Sequence, residues 1–329
     1  MTAPDREHAL AQWIAGQRGD AIGPWQAASS DASFRRYFRI PVDDGALIAM
    51  DAPPEHEDAR PFVAIATRLR SAGVHVPRVL ASDLERGFVL MEDLGAVGFI
   101  DRLQGTDADQ PLMDAAIASL VHMQAHTPHG DLPGYDAALL RRELDLFPEW
   151  YVRRHLGVDP DADWWAAWEM SCRALIDNAL AQTRVFVHRD YMARNLMVTT
   201  PNPGVLDFQD AVSGPVSYDP ICLLRDAFLS WPAQLEDEWL RRYHGAASAA
   251  GLPLPEAFDD FRGHADRMAA QRHLKVLGIF ARLRHRDGKP DYIADAPRFL
   301  DYLARETADY ADLTPLRELL QALPAEPRP

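Results

Sequence analysis

Cysteine and long apolar runs are both scarce in this chain. Cys172 and Cys222 are its only cysteines, and neither has a partner at metal or redox spacing, which excludes a disulfide framework. No apolar run approaches the roughly 20 residues that cross a bilayer, so we expect no membrane partner. The first eight residues are polar and of mixed charge, unlike a signal peptide. These absences predict a cytoplasmic protein.

Positive charge is in short supply as well. The chain has 34 Lys and Arg residues against 49 Asp and Glu residues, a net charge of −15 at pH 7. Proteins that bind nucleic acid use a basic surface for the phosphates, so we expect no nucleic-acid partner. Lysine is nearly missing, since Lys275 and Lys289 are the only two. No heptad pattern indicates oligomerisation, and we expect a monomer.

With 329 residues, the chain exceeds what one compact core usually holds. Helices are predicted at 6–18 and 58–73, the second with Asp58 as its N-cap. Strand patterns that predict a five-strand antiparallel sheet occur at residues 24–27, 34–40, 46–51, 76–81 and 88–91. Helical periodicity dominates the rest. We expect an α+β, protein-kinase-like two-lobe fold, with a small N-terminal lobe at 1–93 and a larger, mainly helical C-terminal lobe at 94–329.

A short β-rich segment interrupts the helical region between residues 185 and 208. It contains the runs His188-Arg189-Asp190-Tyr191-Met192-Ala193-Arg194-Asn195 and Leu206-Asp207-Phe208. Phosphoryl transfer from ATP needs a carboxylate that deprotonates the attacking hydroxyl, and oxygen ligands that hold Mg²⁺. The spacing predicts Asp190 as the base, Asn195 as one Mg²⁺ ligand and Asp207 as the bridging ligand. The alternative is that these are turn and strand-end residues.

Residues 188–195 and 206–208 resemble the aminoglycoside phosphotransferase and choline kinase group, which is related to protein kinases. The resemblance covers most of the chain, from the loop at 29–33 to the segment at 214–220. Similarity to the anomeric N-acetylmuramate/N-acetylglucosamine kinases of bacterial cell-wall recycling is closer in residues 188–197, 206–211 and 271–280. The resemblance implies a kinase that uses ATP and Mg²⁺ to phosphorylate the C1 hydroxyl of an amino sugar.

The acceptor has alternatives. A related kinase could act on an aminoglycoside, choline or homoserine, and a cationic acceptor would need acids such as those at 259–260 or 236–238, which also fit solvated surface charges. A nucleotide-binding pseudokinase is a further alternative. The presence of Asp190, Asn195 and Asp207 argues against it.

Residues around the base are expected to support the catalytic loop. His188 is interpreted as a core histidine without a role in proton transfer. Arg189 either contacts developing charge or pairs with a loop carboxylate. Arg194 contacts substrate or phosphate, or forms a structural salt bridge. The resemblance implies that Asp219 braces the loop, with a helix N-cap as the alternative role.

Two segments are expected to bind ATP. The loop at 29–33 lies where the phosphates should be covered, and without glycine it would use hydroxyl and backbone N–H groups. An ordinary Ser- and Asp-rich hairpin loop is the alternative. The resemblance implies that 91–94 is the inter-lobe hinge whose backbone holds adenine. The ATP-binding residues expected from both segments are Ser29, Ser30, Asp31, Ser33, Met91, Glu92 and Leu94.

The third strand lacks the lysine that steadies the ATP phosphates in protein kinases. It occupies residues 46–51, and residues 1–93 contain no lysine. Magnesium alone would leave the phosphate charge incompletely balanced. We therefore hypothesise that Arg36 or Arg39 supplies that charge. The alternative is that both are surface strand arginines.

Several residues of the helical lobe are candidates for the sugar site. They are Arg194, Asp210, Trp231, Arg272 and His273. Trp231 suits sugar stacking, with a core tryptophan as the alternative. Arg272 is expected to bind the lactyl carboxylate of N-acetylmuramate. Asp210 is expected to orient metal or sugar.

Overall fold

The computed structural model describes residues 3–18, 24–29, 34–43, 45–103 and 109–324. Its N-terminal part contains one five-stranded antiparallel sheet in the order β1-β2-β3-β5-β4. The strands are β1 Gln26–Ser29, β2 Arg36–Val42, β3 Gly45–Asp51, β4 Val79–Asp83 and β5 Phe88–Glu92. The predicted five-strand antiparallel sheet is confirmed, although β4 begins later than its sequence pattern indicated.

A helix covers each face of the sheet. On one face, α1 (Ala3–Arg18) packs against side chains of β2, β3 and β5 through Leu10, Trp13 and Ile14. On the other, α2 (Arg60–Ser71) packs through an apolar stripe against residues that include Met50. Because successive strand side chains point to opposite faces, the odd and even residues of β2 meet different surroundings.

The start of α2 differs slightly from its prediction. Ala59 occupies the N-cap position without a side-chain bond, so the prediction of Asp58 as the N-cap is wrong. The Asp58 carboxylate nevertheless accepts a hydrogen bond from the backbone N–H of Arg60 at 2.9 Å. It therefore still satisfies one of the first N–H groups of the helix, which have no partner within it.

The remainder of the described chain is mainly helical. Its helices are α3 Phe99–Arg102, α4 Gln110–His126, α5 Ala137–Leu144, α6 Ala162–Ala181, α7 Tyr218–Leu224, α8 Ala233–Ala249, α9 Phe258–His285, α10 Ala296–Glu306 and α11 Thr314–Gln321. A π-helical stretch at Phe147–His155 packs along α9. Gly278 permits this close approach, because a Cβ there would lie 2.5 Å from the backbone of Leu146. None of the helices in the described part of the chain is long and apolar enough to span a membrane.

Two short two-stranded sheets interrupt the helices where the sequence predicted a β-rich segment. β6 (Arg184–Val187) pairs with β9 (Val212–Pro215), and β7 (Leu196–Met197) pairs with β8 (Gly204–Val205), although β9 lies beyond the end of that predicted segment. The loop at 188–195 connects β6 to β7. The protein therefore has the expected two-lobe fold, while the lobe boundary at residue 93, next to the end of β5, stays a prediction.

Candidate active site

The catalytic loop, residues 188–195, begins where β6 ends and is held by Asp219 of α7. The Asp219 carboxylate accepts hydrogen bonds from the backbone N–H groups of His188 at 2.7 Å and Arg189 at 2.9 Å. Arg189 adopts a left-handed φ of 76°, a conformation that its surroundings must enforce. Burial raises the pKa of Asp219 to about 7, although both backbone N–H groups oppose that shift. The N-cap of α7 is Ser217, so Asp219 contacts the loop instead.

His188 connects the catalytic loop to the strand that precedes Asp207. Its Nδ1 lies 3.3 Å from the backbone nitrogen of Asp190, and its Nε2 lies 3.0 Å from the carbonyl oxygen of Leu206. These partners require the neutral tautomer with the proton on Nε2, because Nδ1 must accept. Burial lowers the pKa of His188 to about 4. His188 is thus a buried, neutral support at physiological pH.

The three residues that the sequence assigned to the chemistry lie together. Asn195 Nδ2 donates to the carbonyl oxygen of Asp190 at 2.9 Å and to Asp207 Oδ2 at 3.4 Å. Gln209 Nε2 donates to Asp207 Oδ1 at 2.8 Å. Asp207 has a φ of 62°, so it and Arg189 are the only non-glycine residues with positive φ in the described ranges. Both strained residues therefore belong to the loops that carry the candidate chemistry.

The donor set at this point fits Mg²⁺. With its amide nitrogen engaged, Asn195 can offer Oδ1 to a cation, beside the carboxylate of Asp207. Mg²⁺ prefers such oxygen ligands and usually shares them with water and substrate phosphates. Across the residues that the structure describes, no group of three or more His, Cys, Asp or Glu side chains forms a metal site. Because Mg²⁺ takes six ligands, an ion held by Asn195 and Asp207 would have coordination positions left for phosphate.

Two cavities meet at these residues. A cleft of about 630 Å³ lies between the sheet and the helical lobe, and a pocket of about 300 Å³ lies within the helical lobe. Residues that line both are Arg194, Asn195, Asp207 and Phe228. Asp190 lines the smaller pocket. The geometry suits two ligands that meet end to end, with Asn195 and Asp207 between them.

Comparison with known proteins identifies the family. The profile of the phosphotransferase enzyme family matches residues 24–258. The chain belongs to this family. An N-acetylmuramate/N-acetylglucosamine kinase of Pseudomonas aeruginosa is 55% identical over 297 residues, which cover 90% of this chain and 88% of that protein. One with the same name from Neisseria meningitidis is 46% identical over 300 residues, covering 90% of this chain and 89% of that protein.

Solved structures of other kinases and phosphotransferases share the fold at low identity. Aminoglycoside phosphotransferase APH(2'')-Ib, with ADP bound, has a TM-score of 0.60 and 14% identity, covering 91% of this chain and 98% of that one. Choline kinase LicA from Streptococcus pneumoniae has a TM-score of 0.63 and 11% identity, covering 92% of this chain and 99% of that one. The chain is thus a phosphotransferase with the fold of these kinases.

The larger cavity of this phosphotransferase contains the residues predicted to form the hinge. Met91, Glu92 and Leu94 all line it, where β5 leaves the sheet. Ser29 is the last residue of β1, and its neighbour Ala28 lines the cleft. The predicted contacts of Ser30, Asp31 and Ser33 lie outside the described residues.

Strand alternation separates the two arginines proposed to replace the missing lysine. Arg39 lines the larger cavity, where it forms a bidentate ion pair with Asp93 at 2.6 and 3.0 Å. Arg36 instead points to the α1 face and pairs with the fully buried carboxylate of Asp51 at 2.5 Å. Arg6 of α1 binds the same carboxylate. The candidate role of Arg36 at the phosphates is therefore wrong, because the sheet separates it from the cleft.

The smaller pocket is lined largely by one face of α9. Its lining residues on this helix, at helical spacing, are Arg272, Lys275, Val276, Ile279, Phe280 and Leu283. Arg194 lines the pocket from the opposite side, with its guanidinium 4.8 Å from the centre of the Phe228 ring. Of the sugar-site candidates, the structure therefore brings Arg194 and Arg272 to the pocket.

The other sugar-site candidates lie elsewhere. His273 is buried behind α9, where Nδ1 lies 3.0 Å from a carboxylate oxygen of Glu306. Trp231 is a buried core residue packed edge-on against Trp239 at 5.2 Å. Asp210 accepts from Gln209 at 3.3 Å and lines neither cavity. The predictions for His273 and Trp231 are wrong about position, since adjacent helical residues such as 272 and 273 point about 100° apart and Trp231 packs into the core. Asp210 does not line the pocket, and its role in orienting the metal stays a prediction.

Sequence reasoning missed a buried ion cluster beside the pocket. One carboxylate oxygen of Glu143 lies 2.6 Å from Arg189 Nη2 and 2.9 Å from Lys275 Nζ. The other oxygen accepts from the hydroxyl of Tyr135 and from Gln271 Nε2 at 3.2 Å. Burial raises the pKa of Glu143, but Lys275 and Arg189 outweigh it and hold the pKa at about 2. The signal available in the sequence was Lys275 itself, one of two lysines and the only one in an apolar helical pattern.

Proposed function

We propose that this phosphotransferase transfers the γ-phosphoryl group of ATP to the anomeric C1 hydroxyl of N-acetylmuramate or N-acetylglucosamine. The observation that carries this proposal is the meeting of the two cavities at Asn195 and Asp207, with Asp190 on the side of the smaller pocket. That arrangement allows a nucleotide and an acceptor to approach from opposite sides. Relatives of 46–55% identity named for this activity support the choice of acceptor.

The proposed reaction assigns the proton to Asp190. The larger cavity holds ATP, with adenine at the hinge residues Met91 to Leu94. The acceptor lies in the smaller pocket, which we call the acceptor pocket. Asp190 accepts the proton of the acceptor hydroxyl as its oxygen forms a bond to the γ-phosphorus. The bond from that phosphorus to the bridging oxygen breaks, and ADP leaves with the electron pair.

Asn195 and Asp207 are proposed to hold Mg²⁺ at the junction. The ion supplies charge stabilisation to the phosphoryl group in transfer. Gln209 holds one oxygen of Asp207 through a hydrogen bond, and the carbonyl of Asp190 holds the amide of Asn195 in the same way. Because an anomeric hydroxyl is more acidic than an ordinary alcohol, a carboxylate base suffices. Positioning and electrostatics then account for most of the rate.

The charges of the acceptor pocket disfavour a cationic acceptor. Its lining includes the cations Arg194, Arg272 and Lys275. The acidic clusters at 236–238 and 259–260 do not contribute to the lining, and Glu236 pairs with Arg225 and Arg305. Likeness to aminoglycoside and choline kinases at 11–14% identity concerns the fold alone. A cytoplasmic location and a monomeric state remain predictions.

A sugar panel tests the proposal. Purified protein is mixed with ATP, Mg²⁺ and each sugar in a coupled ATP-consumption assay, and phosphorus NMR locates the new phosphate. We expect turnover with N-acetylmuramate and N-acetylglucosamine and a phosphate on C1. ATP consumption that does not depend on added sugar would contradict the proposed acceptor. So would a new phosphate on C6 or on a non-sugar alcohol.

A further inference from the structure

Arg272 is a buried cation without an ion pair. Its residue exposure is 2%, and its hydrogen bond within the protein runs from Nη1 to the carbonyl oxygen of Arg225 at 3.4 Å. Among the residues described, no carboxylate lies within 4 Å of its guanidinium, although Asp190 and Asp226 act on it from farther away. Arg225, close by, contacts three carboxylates. Burying a charge without an ion-pair partner costs free energy, so an anionic ligand that pairs with Arg272 would reduce that cost.

Lys275 lies one helical turn beyond Arg272 on the same face of α9. Its Nζ contacts Glu143 at 2.9 Å and the hydroxyl of Tyr218 at 3.1 Å. An ammonium group has three N–H donors, so one is left for the pocket. Burial lowers the pKa of Lys275, but Tyr218 and Glu143 outweigh it and raise the pKa above its ordinary value. The side chain therefore stays charged at physiological pH.

The direct contacts of these two side chains do not neutralise their charge, although Asp190, Asp219 and Asp226 act on Arg272 from beyond 4 Å. Glu143 is shared between Lys275 and Arg189, so the three together carry one net positive charge. Arg272 adds another. The acids that line the pocket are Asp190 and Asp207, which the proposed reaction uses for the proton and the metal. The α9 side of the acceptor pocket is thus lined by two cations with hydrogen-bond donors.

We propose that Arg272 and Lys275 form a carboxylate-binding subsite that distinguishes an acidic amino sugar from a neutral one. This inference rests on the proposed function. The lactyl carboxylate of N-acetylmuramate would lie against α9, bound by the planar donors of Arg272 and the remaining donor of Lys275. N-acetylglucosamine has no such group and leaves the two cations to water. Glu143 is the positioning residue that holds Lys275 in place.

Acceptor charge and enzyme charge can be varied together to test the subsite. The acceptors are N-acetylmuramate, its neutral methyl ester and N-acetylglucosamine. The variants are Arg272→Gln and Lys275→Met, with Arg284→Gln, exposed on the same helix, as the matched control. We expect wild type to use the free acid about 10- to 100-fold better than the ester in kcat/KM. Either subsite variant should reduce that preference to about threefold or less.

A purely structural role predicts a different pattern. In that case kcat/KM would fall by the same factor for all three acceptors, and the preference for the free acid would persist, which contradicts the subsite. Equal kcat/KM of the wild-type enzyme for N-acetylmuramate and its methyl ester would also contradict the subsite. Arg272→Lys, which keeps the charge, should retain part of the preference. Absence of turnover with every sugar would overturn the proposed function itself, and the subsite with it.

Discussion

The nucleotide cleft and the acceptor pocket treat their arginines differently. In the cleft, Arg39 is neutralised by Asp93 and also donates to the carbonyl oxygen of Gly95 at 2.7 Å. In the pocket, Arg272 has no such carboxylate partner among the described residues. The cleft arginine therefore ties strand β2 to the hinge, whereas the pocket arginine is available to a ligand. If the proposed function holds, this difference assigns recognition by charge to the acceptor side of the enzyme.

The two cavities are also built from different parts of the chain. Residues of the sheet and the hinge line the nucleotide cleft, where main-chain groups can serve adenine. One face of α9 lines the acceptor pocket, where side chains dominate. Substitutions of residues that line both cavities should therefore affect the binding of both ATP and acceptor. Substitutions of residues that line one cavity should affect the binding of one ligand only.

Replacement of Asp207 by alanine should have the largest effect, because Asp207 lines both cavities. We expect kcat/KM to fall about 10⁴-fold, since metal-held charge stabilisation contributes several kcal/mol. Nucleotide binding that depends on Mg²⁺ should be lost as well. Steady-state kinetics and calorimetry with and without Mg²⁺ measure the two effects, with exposed Asp163→Ala as the control. Binding of Mg²⁺-ATP at wild-type affinity would contradict the shared role.

Asp190→Asn should separate the two cavities. Asp190 lines the acceptor pocket, so we expect kcat to fall about 10³-fold with little change in the Kd for ATP. The substitution keeps the backbone carbonyl that holds Asn195. Activity near the wild-type level in a steady-state assay would refute the assignment of the base.

Glu143→Gln should weaken the acceptor side through the ion cluster. Loss of the carboxylate leaves two buried cations without their partner, so we expect unfolding free energy to fall by about 3 kcal/mol at neutral pH. The folded pKa of about 2 lies below the ordinary 4.5, so the stabilisation is present above pH 4.5 and is lost as pH falls towards 2. Urea denaturation of wild type and variant across this range should show the difference shrink.

The exposed pair of Glu169 and Arg141 offers the control for that experiment. Glu169→Gln should change unfolding free energy by about 0.5 kcal/mol or less, because exposed ion pairs contribute little. The KM for ATP should stay near wild type in Glu143→Gln while the KM for the acceptor rises. A difference in stability that persists unchanged at low pH would contradict the role of the ionised carboxylate.

Arg39→Met should have the smallest effect and concern the cleft alone. Loss of a partly exposed ion pair worth about 1 kcal/mol should raise the KM for ATP about fivefold, with the KM for the acceptor unchanged. Arg36→Met is the matched control on the opposite face of the same strand. It should lower the melting temperature and leave the KM for ATP alone. Equal effects of both variants on the KM for ATP would contradict the conclusion that only Arg39 faces the nucleotide cleft.

Local sequence pattern was sufficient for the sheet and the catalytic loop. The alternating patterns predicted where the strands lie, and the loop lies between the short strands β6 and β7. Asp190, Asn195 and Asp207 are therefore held by contacts that are close in sequence. The same reasoning failed for His273 and Trp231. Their residue types suit a sugar site, but His273 lies on the core-facing side of α9, and Trp231, in the segment before α8, packs into the core.

By itself, the sequence determined the two-lobe fold, the place of Asp190, Asn195 and Asp207 in the chain and the absence of a lysine in residues 1–93. Only the tertiary structure decided that Arg39 faces the nucleotide cleft and Arg36 does not, and that Arg272 and Lys275 share the acceptor pocket. The physical reason is that periodicity tells which residues share a face of a strand or helix. Which face meets a cavity depends on how distant elements pack, as Glu143 of α5 does against Lys275 of α9.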